Sequence, residues 1–170
     1  MSKNEKAPGV TDYKRPSWDE YFFEVMKSVA KRSTCERGRS GCVIVKDNQI
    51  LATGYVGSVV GDDHCDDVGH LFKQTVHEDG KTSNHCVRTS HAEENAICQA
   101  AKRGVALEGA TLYCQMYPCM VCSRLIAQSG IKKVFAYHKY HTIEDSKRIF
   151  KAAGVEVEVY EDIVEPYENQ

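Results

Sequence analysis

No apolar run in the sequence approaches the roughly 18 residues that a membrane-spanning helix needs. The opening residues, Met1 to Lys6, are polar or charged with no apolar stretch behind them, so neither a membrane span nor a secretory leader is expected. Charge of one sign is also missing. The 22 Lys and Arg are balanced by 24 Asp and Glu, for a net charge of -2. That balance counts against a protein whose main work is gripping a nucleic-acid backbone. Proline is scarce, at four, and there is no internal repeat or low-complexity tract. What remains is ordinary for a folded chain: 170 residues, 42% hydrophobic and 27% charged, enough for one domain with a core of its own. The eight cysteines stand out. Without a leader they point to metal or thiol chemistry in a reducing, cytoplasmic compartment rather than to a disulfide framework.

Residues 1–16 carry Pro8, Gly9 and Pro16 among charges and read as a flexible lead-in. Residues 17–160 form the domain, and 161–170 an acidic tail. Ser17 and Glu20 make a capping box, after which Trp18, Phe22, Val25, Met26 and Val29 recur at helical spacing up to Ser33. Cys42–Val45 and Ile50–Thr53, joined by Asp47 and Asn48, predict a β-hairpin. Residues 54–90 hold Gly, Asp and His with little apolar pattern, and they predict a long irregular stretch that something extra must hold. From there helix and strand alternate: helix Ser90–Arg103, strand Ala110–Cys114, helix Pro118–Ser129, strand Val134–Tyr137, helix Ile143–Ala153 and strand Val155–Tyr160. The class is therefore α/β, with parallel strand pairs and helices on both faces.

Two segments carry the chemistry, Ser90-His91-Ala92-Glu93 and Pro118-Cys119-Met120-Val121-Cys122, each opening a predicted helix. Cys119 and Cys122 share one face of a helical turn, where unpaired amides and the helix dipole favour thiolate. Two thiolates and the imidazole of His91 make three zinc ligands and leave the fourth corner for water, the catalytic rather than the structural arrangement. Glu93 stands two residues from His91, placed to move protons without being a ligand. Each part has a plainer meaning. Glu93 also completes a capping box with Ser90, and a lone Cys-x-x-Cys suits a redox pair or half of a structural zinc site. Together, His-x-Glu followed by Pro-Cys-x-x-Cys is the signature of zinc nucleobase deaminases.

On those residues the sequence resembles the deoxycytidylate (dCMP) deaminase family. The likeness extends to Trp18–Phe22, Lys31–Cys35, Gly54-Tyr55-Val56-Gly57, His64–Asp67, Cys86–Glu93, Gly130–Val134 and Ala153–Val155, so it covers about 17–160. It departs from the family pattern at Val56 and Val59, in place of Asn and Pro, and at Ser40 and Cys42 around Gly41. The resemblance implies a three-layer α/β/α cytidine-deaminase-like fold around a five-stranded mixed sheet. It implies zinc-dependent hydrolysis of dCMP to dUMP and ammonia, supplying dUMP for thymidylate synthesis. His91, Cys119 and Cys122 would hold the catalytic zinc, Glu93 would shuttle protons, and Ala92 and Tyr117 would contact the base. It further implies a homo-oligomer, often a hexamer, activated by dCTP and inhibited by dTTP. The effector, a triphosphate able to carry Mg2+, would sit on Gly54, Tyr55, Gly57, Ser58 and Gly61, where closely spaced glycines let backbone amides approach phosphate.

Some members carry a second zinc tying the long loop to the first helix. Cys35, Cys65, His70 and His85 resemble its ligands, with Cys86 as the substitute for the last; His64 and His77 are the other soft ligands nearby. Cys98 and Cys114 lie in regular elements and are expected in the core. For the phosphate of a nucleotide, Arg37, Arg39, Arg88, Lys139 and Tyr140 are candidates, each with the plainer role of a solvated surface residue. Two other functions compete: deamination of a polynucleotide (tRNA adenosine or single-stranded DNA cytosine), which needs a basic and aromatic channel, and a non-catalytic zinc module that binds nucleotide.

Overall fold

The structure, a computed structural model, describes residues 13–76, 80, 82–140 and 143–164. Most of the expected lead-in, the end of the acidic tail and His77 lie outside the described residues. Helix α1 (Trp18–Ala30) opens with the expected capping box: Glu20 N donates to Ser17 Oγ at 3.2 Å, and Ser17 N donates to Glu20 Oε2 at 2.7 Å. It ends three residues earlier than its periodicity suggests, because the amides of Lys31, Arg32 and Ser33 each bond three residues back, to Ser28, Val29 and Ala30. Strands β1 (Gly41–Lys46) and β2 (Gln49–Tyr55) form the hairpin, turning at Asp47 and Asn48 with φ of 52° and 60°.

The stretch expected to be irregular holds short elements instead: β3 (Gly57–Ser58), α2 (Cys65–Val68), β4 (Phe72–Val76), β5 (Thr82–Cys86) and β6 (Thr89–Ser90). β4 pairs with β5 and β3 with β6, both antiparallel. Phe72, Lys73, Gln74 and Val76 are exposed, as are Thr82, Asn84 and His85. Cross-strand backbone bonds hold this hairpin with almost no buried face, so no apolar alternation marks it in the sequence.

The remaining elements are α3 (Ala92–Lys102), β7 (Thr111–Met116), α4 (Met120–Gln128), β8 (Lys133–His138), α5 (Glu144–Ala153) and β9 (Glu156–Val159). The five-stranded sheet runs β2-β1-β7-β8-β9. β1 is antiparallel to both neighbours; β7, β8 and β9 are parallel. Alternate residues of the central strands serve opposite faces. Cys42, Ile44, Leu112, Cys114, Val134 and Ala136 pack with Ala92, Ala96, Ile126 and Phe150 of α3, α4 and α5. Val43, Val45 and Tyr113 pack with Phe22, Phe23 and Met26 of α1. This is the three-layer α/β/α arrangement around a mixed five-stranded sheet.

Two glycines let helices lie directly on the sheet. A Cβ on Gly41 would stand 2.5 Å from the carbonyl oxygen of Met26, and one on Gly54 would stand 2.1 Å from that of Ala92. The second contact fixes the first turn of α3 against β2.

Candidate active site

α3 and α4 start side by side at the ends of β6 and β7, and the residue that caps each start is a potential ligand. His91 is the N-cap of α3, Cys119 is the N-cap of α4, and Cys122 lies one turn in. Nδ1 of His91 stands 3.3 Å from Cys122 Sγ and 3.5 Å from Cys119 Sγ. Zinc bonds of about 2.3 Å to sulfur and about 2.0 Å to nitrogen, at tetrahedral angles, set nitrogen and sulfur about 3.5 Å apart. Both nitrogen–sulfur distances are thus already those of one coordination tetrahedron, all three donor atoms lie within 4.8 Å of one another, and their chemistry suits zinc. The thiols and imidazole also settle one another's charge. Cys119 is lowered to about 4, first because Cys122 donates to it and next through His91. His91 is raised to about 9, chiefly by Cys119 and against the effect of burial.

The sequence allowed Glu93 to cap α3 together with Ser90. The structure assigns that work to the next residue: His91 N donates to Glu94 Oε2 at 2.7 Å. The helix begins one residue later than Ser90 would require, so Glu93 turns inward. It is 7% exposed, and its Oε2 stands 3.7 Å from Cys122 Sγ. Burial raises its carboxyl above the usual range, with the His91 charge pulling the other way. A carboxyl so placed can take up and release a proton beside three side chains that could hold a metal ion.

Of these groups His91, Glu93 and Cys119 form the floor of a pocket of about 370 Å³. Tyr117, Met116, Met120, Val121 and Val56 give it apolar walls; Arg37, Ser40, His85, Thr89 and Tyr140 bring polar groups to its rim. Ala92, at the first helical position beside this floor, is fully buried. Arg37 is the arginine that reaches the pocket, with its guanidinium 4.9 Å from the Phe72 ring. The two arginines expected beside it are engaged elsewhere. Arg39 donates to Ser33 O at 2.7 Å and pairs with Asp66 at 3.2 Å. Arg88 pairs with Asp62 at 2.6 Å, fastening the glycine-rich loop to the segment before His91. Lys139 pairs with Asp162. The apolar wall of Met116, Met120 and Val121 had no signal in the sequence beyond its position around Pro118.

The glycine-rich segment is largely committed to packing. Gly54 lies under α3, the carbonyl of Tyr55 accepts from Asn95 Nδ2 at 2.8 Å, and the amide of Ser58 donates to Thr34 Oγ1 at 3.2 Å. Gly57 adjoins Thr34 and the Tyr55 ring, whereas Gly61, at φ 94°, has open space around it.

A second cluster of soft ligands stands beside the pocket. Donor atoms of Cys35, Cys65 and His70 lie within 4.8 Å of one another. Cys35 Sγ is 3.7 Å from His70 Nδ1, and Cys65 Sγ is 3.6 Å from Cys86 Sγ. His85 is not part of that group and borders the catalytic pocket instead. Cys114 is buried as expected, but Cys98 is exposed on the solvent side of α3.

A mixed five-stranded sheet that brings His-x-Glu and Cys-x-x-Cys to one pocket from two helix starts defines a zinc-dependent deaminase. The family described as the cytidine and deoxycytidylate deaminase zinc-binding region matches residues 16–138, and the chain belongs to that family. It is 42% identical over 147 residues to ComE operon protein 2 of Bacillus subtilis, covering 86% of this chain and 73% of that one. It is 40% identical to the deoxycytidylate deaminase of Schizosaccharomyces pombe, over 86% of this chain but only 45% of that protein's length. Among solved structures, the dCMP deaminase of cyanophage S-TIM5 in complex with dCMP and dUMP superposes with a TM-score of 0.68 at 33% identity, covering 86% of this chain and 99% of the phage chain.

Proposed function

We propose that this zinc deaminase acts on dCMP, converting it with water to dUMP and ammonia. The observation that carries the reading is the inward-turned Glu93 beside His91, Cys119 and Cys122 at the floor of a nucleotide-sized pocket. The chain's likeness to a phage enzyme crystallised with dCMP and dUMP supports dCMP as the substrate. His91, Cys119 and Cys122 would hold the zinc, which would supply the Lewis acidity that makes water a nucleophile at neutral pH. Glu93, buried and raised, accepts a proton from that water, delivers it to N3 of the cytosine, and then assists the departing ammonia. The Ala92 amide and the Tyr117 ring hold the base. Arg37 and Tyr140, at the rim, seat the 5′-phosphate in place of Arg39 and Arg88.

The reading extends to a second, structural zinc on Cys35, Cys65, His70 and Cys86. Two sulfurs bound to one zinc stand about 3.7 Å apart, close to the 3.6 Å between Cys65 and Cys86. Burial raises the Cys86 thiol, but the amides of Arg88 and Leu71 and the Cys65 thiol together outweigh that and hold it below its ordinary value, as a ligand requires. It also extends to a cytoplasmic hexamer that supplies dUMP for thymidylate synthesis. Activation by dCTP with Mg2+ and inhibition by dTTP would act through the open end of the glycine-rich loop near Ser58 and Gly61.

Steady-state turnover of dCMP, CMP, deoxycytidine, dCTP and a cytosine-containing oligonucleotide by the zinc-loaded protein tests the assignment. dCMP should have the highest kcat/KM, with dCTP and dTTP shifting its KM in opposite directions. Preference for the oligonucleotide or the free nucleoside would overturn it.

A further inference from the structure

A second cavity, of about 330 Å³, lies beneath the C-terminal half of α1, at the C-terminal ends of β7 and β8. It is lined by Lys27, Lys31, Arg39, Gln115, Tyr137 and His138, with Ala30. It sits on the α1 side of the sheet, away from the layer of α3 and α4 that carries the catalytic groups. Three permanent cations and an imidazole face one space. Lys27, in the last turn of α1, and Lys31, which caps its end, are four residues apart, an arrangement that brings like charges together at the helix terminus. Among the described residues neither has a carboxylate partner; the ammonium of Lys27 sits 3.7 Å from the centre of the Tyr137 ring. The carboxylates at hand are fewer than the cations. Asp66 pairs with Arg39 at 3.2 Å, and Glu161 stands 3.7 Å from His138 Nδ1 and accepts from the Tyr137 hydroxyl at 2.8 Å. The carbonyls of Ser28, Val29 and Ala30 at the end of α1 already accept from Lys31, Arg32 and Ser33, so they present no bare negative end to the cavity.

We propose that this cavity is an anion site for an oligophosphate, the di- or triphosphate group either free or at the 5′ end of a nucleotide. Lys27 and Lys31, which no described carboxylate pairs, with Arg39 beside them in its pair with Asp66, suit a ligand whose charge is spread over several oxygens. Stacking of a base is disfavoured, because the Tyr137 ring is already covered by Lys27 and stacked on Tyr160 at 5.4 Å. The site differs from the catalytic pocket and from the glycine-rich loop. It adjoins the pocket through one strip of chain: Arg37, Gly38 and Ser40 line the pocket, and Arg39 lines this cavity.

Calorimetric titration of the zinc-loaded protein with inorganic tripolyphosphate, at low salt and with zinc content checked before and after, tests the proposal. The wild type should bind saturably, with affinity falling as salt rises. Lys27→Glu/Lys31→Glu should weaken binding at least about tenfold, a loss set by reversing two of the facing charges. Arg37→Ala, which alters the catalytic pocket, should leave it unchanged. Lys27→Gln/Lys31→Gln gives a milder loss and serves if the reversed charges disturb folding. A parallel titration with ATP separates the sources. Weakening of both ligands in the lysine variants places the terminal triphosphate there, and weakening of tripolyphosphate alone restricts the site to free oligophosphate. Absence of saturable binding, or binding lost in Arg37→Ala and kept in the lysine variants, overturns the proposal.

Discussion

Glu93 and Glu94 are neighbours of identical chemistry, yet the start of α3 gives them opposite work. Glu94 faces out and caps the helix through the His91 amide; Glu93 faces the core beside Cys122. Burial raises the Glu93 carboxyl and so favours its protonated form, which suits the proton-carrying role proposed for it. Glu93→Gln should therefore keep the metal and lower kcat by about 10²–10⁴-fold, the usual weight of general acid–base catalysis. Zinc analysis alongside steady-state turnover checks this, and a variant that loses its zinc would contradict the assignment. Glu94→Ala should show the reverse, costing about 1 kcal/mol in denaturant unfolding while zinc and turnover stay near wild type.

At the scale of elements, the catalytic geometry depends on how closely α3 lies on β2. Gly54 permits that approach, since a Cβ there would stand 2.1 Å from the Ala92 carbonyl oxygen. Gly54→Ala should destabilise the fold by about 1–3 kcal/mol through overpacking and displace the first turn of α3, lowering kcat as well. Thermal unfolding and turnover measured together check the coupling; a variant with wild-type values of both would refute it. Helix α1 offers a cleaner electrostatic test. The Glu20 carboxyl is held below its ordinary value of 4.5, first by the Ser17 amide and next by the Ser17 hydroxyl. A lowered value means that its stabilisation is present above 4.5 and is lost as pH falls through the folded-state value. Glu20→Gln should weaken the fold at neutral pH, and the gap between variant and wild type should narrow in acid, where the wild-type carboxyl is itself protonated. Urea unfolding across that range measures it; a gap that does not change with pH would refute the capping role.

At the scale of the whole molecule, the hairpin of β4 and β5 and helix α2 bury few apolar side chains, and beside them stand the donor atoms of Cys35, Cys65 and His70, with Cys86 Sγ 3.6 Å from Cys65 Sγ. With a second zinc there, purified protein should hold two zinc ions per chain. Cys86→Ser should hold one, and His85→Ala should keep both. Chelation should lower Tm more in wild type than in Cys86→Ser, because metal binding is linked to folding. Metal analysis and calorimetric melting read these outcomes directly.

The amino-acid sequence by itself determined the chemistry and most of the frame. His91, Glu93, Cys119 and Cys122 are legible because ligand type and spacing at a helix start are local properties. α1, the β1–β2 hairpin and the alternating C-terminal half are legible because their buried faces repeat with helical or strand period. The β4–β5 hairpin was not legible, since a strand pair without a buried face leaves no such pattern. Tertiary structure alone decided which glutamate turns inward, that Arg37 rather than Arg39 or Arg88 lines the pocket, that the Cys86 thiol stands 3.6 Å from that of Cys65, and that Cys98 is exposed. It also laid α3 directly on Gly54. Each of these depends on the direction a side chain takes once distant segments pack together, and spacing along the chain does not encode that direction.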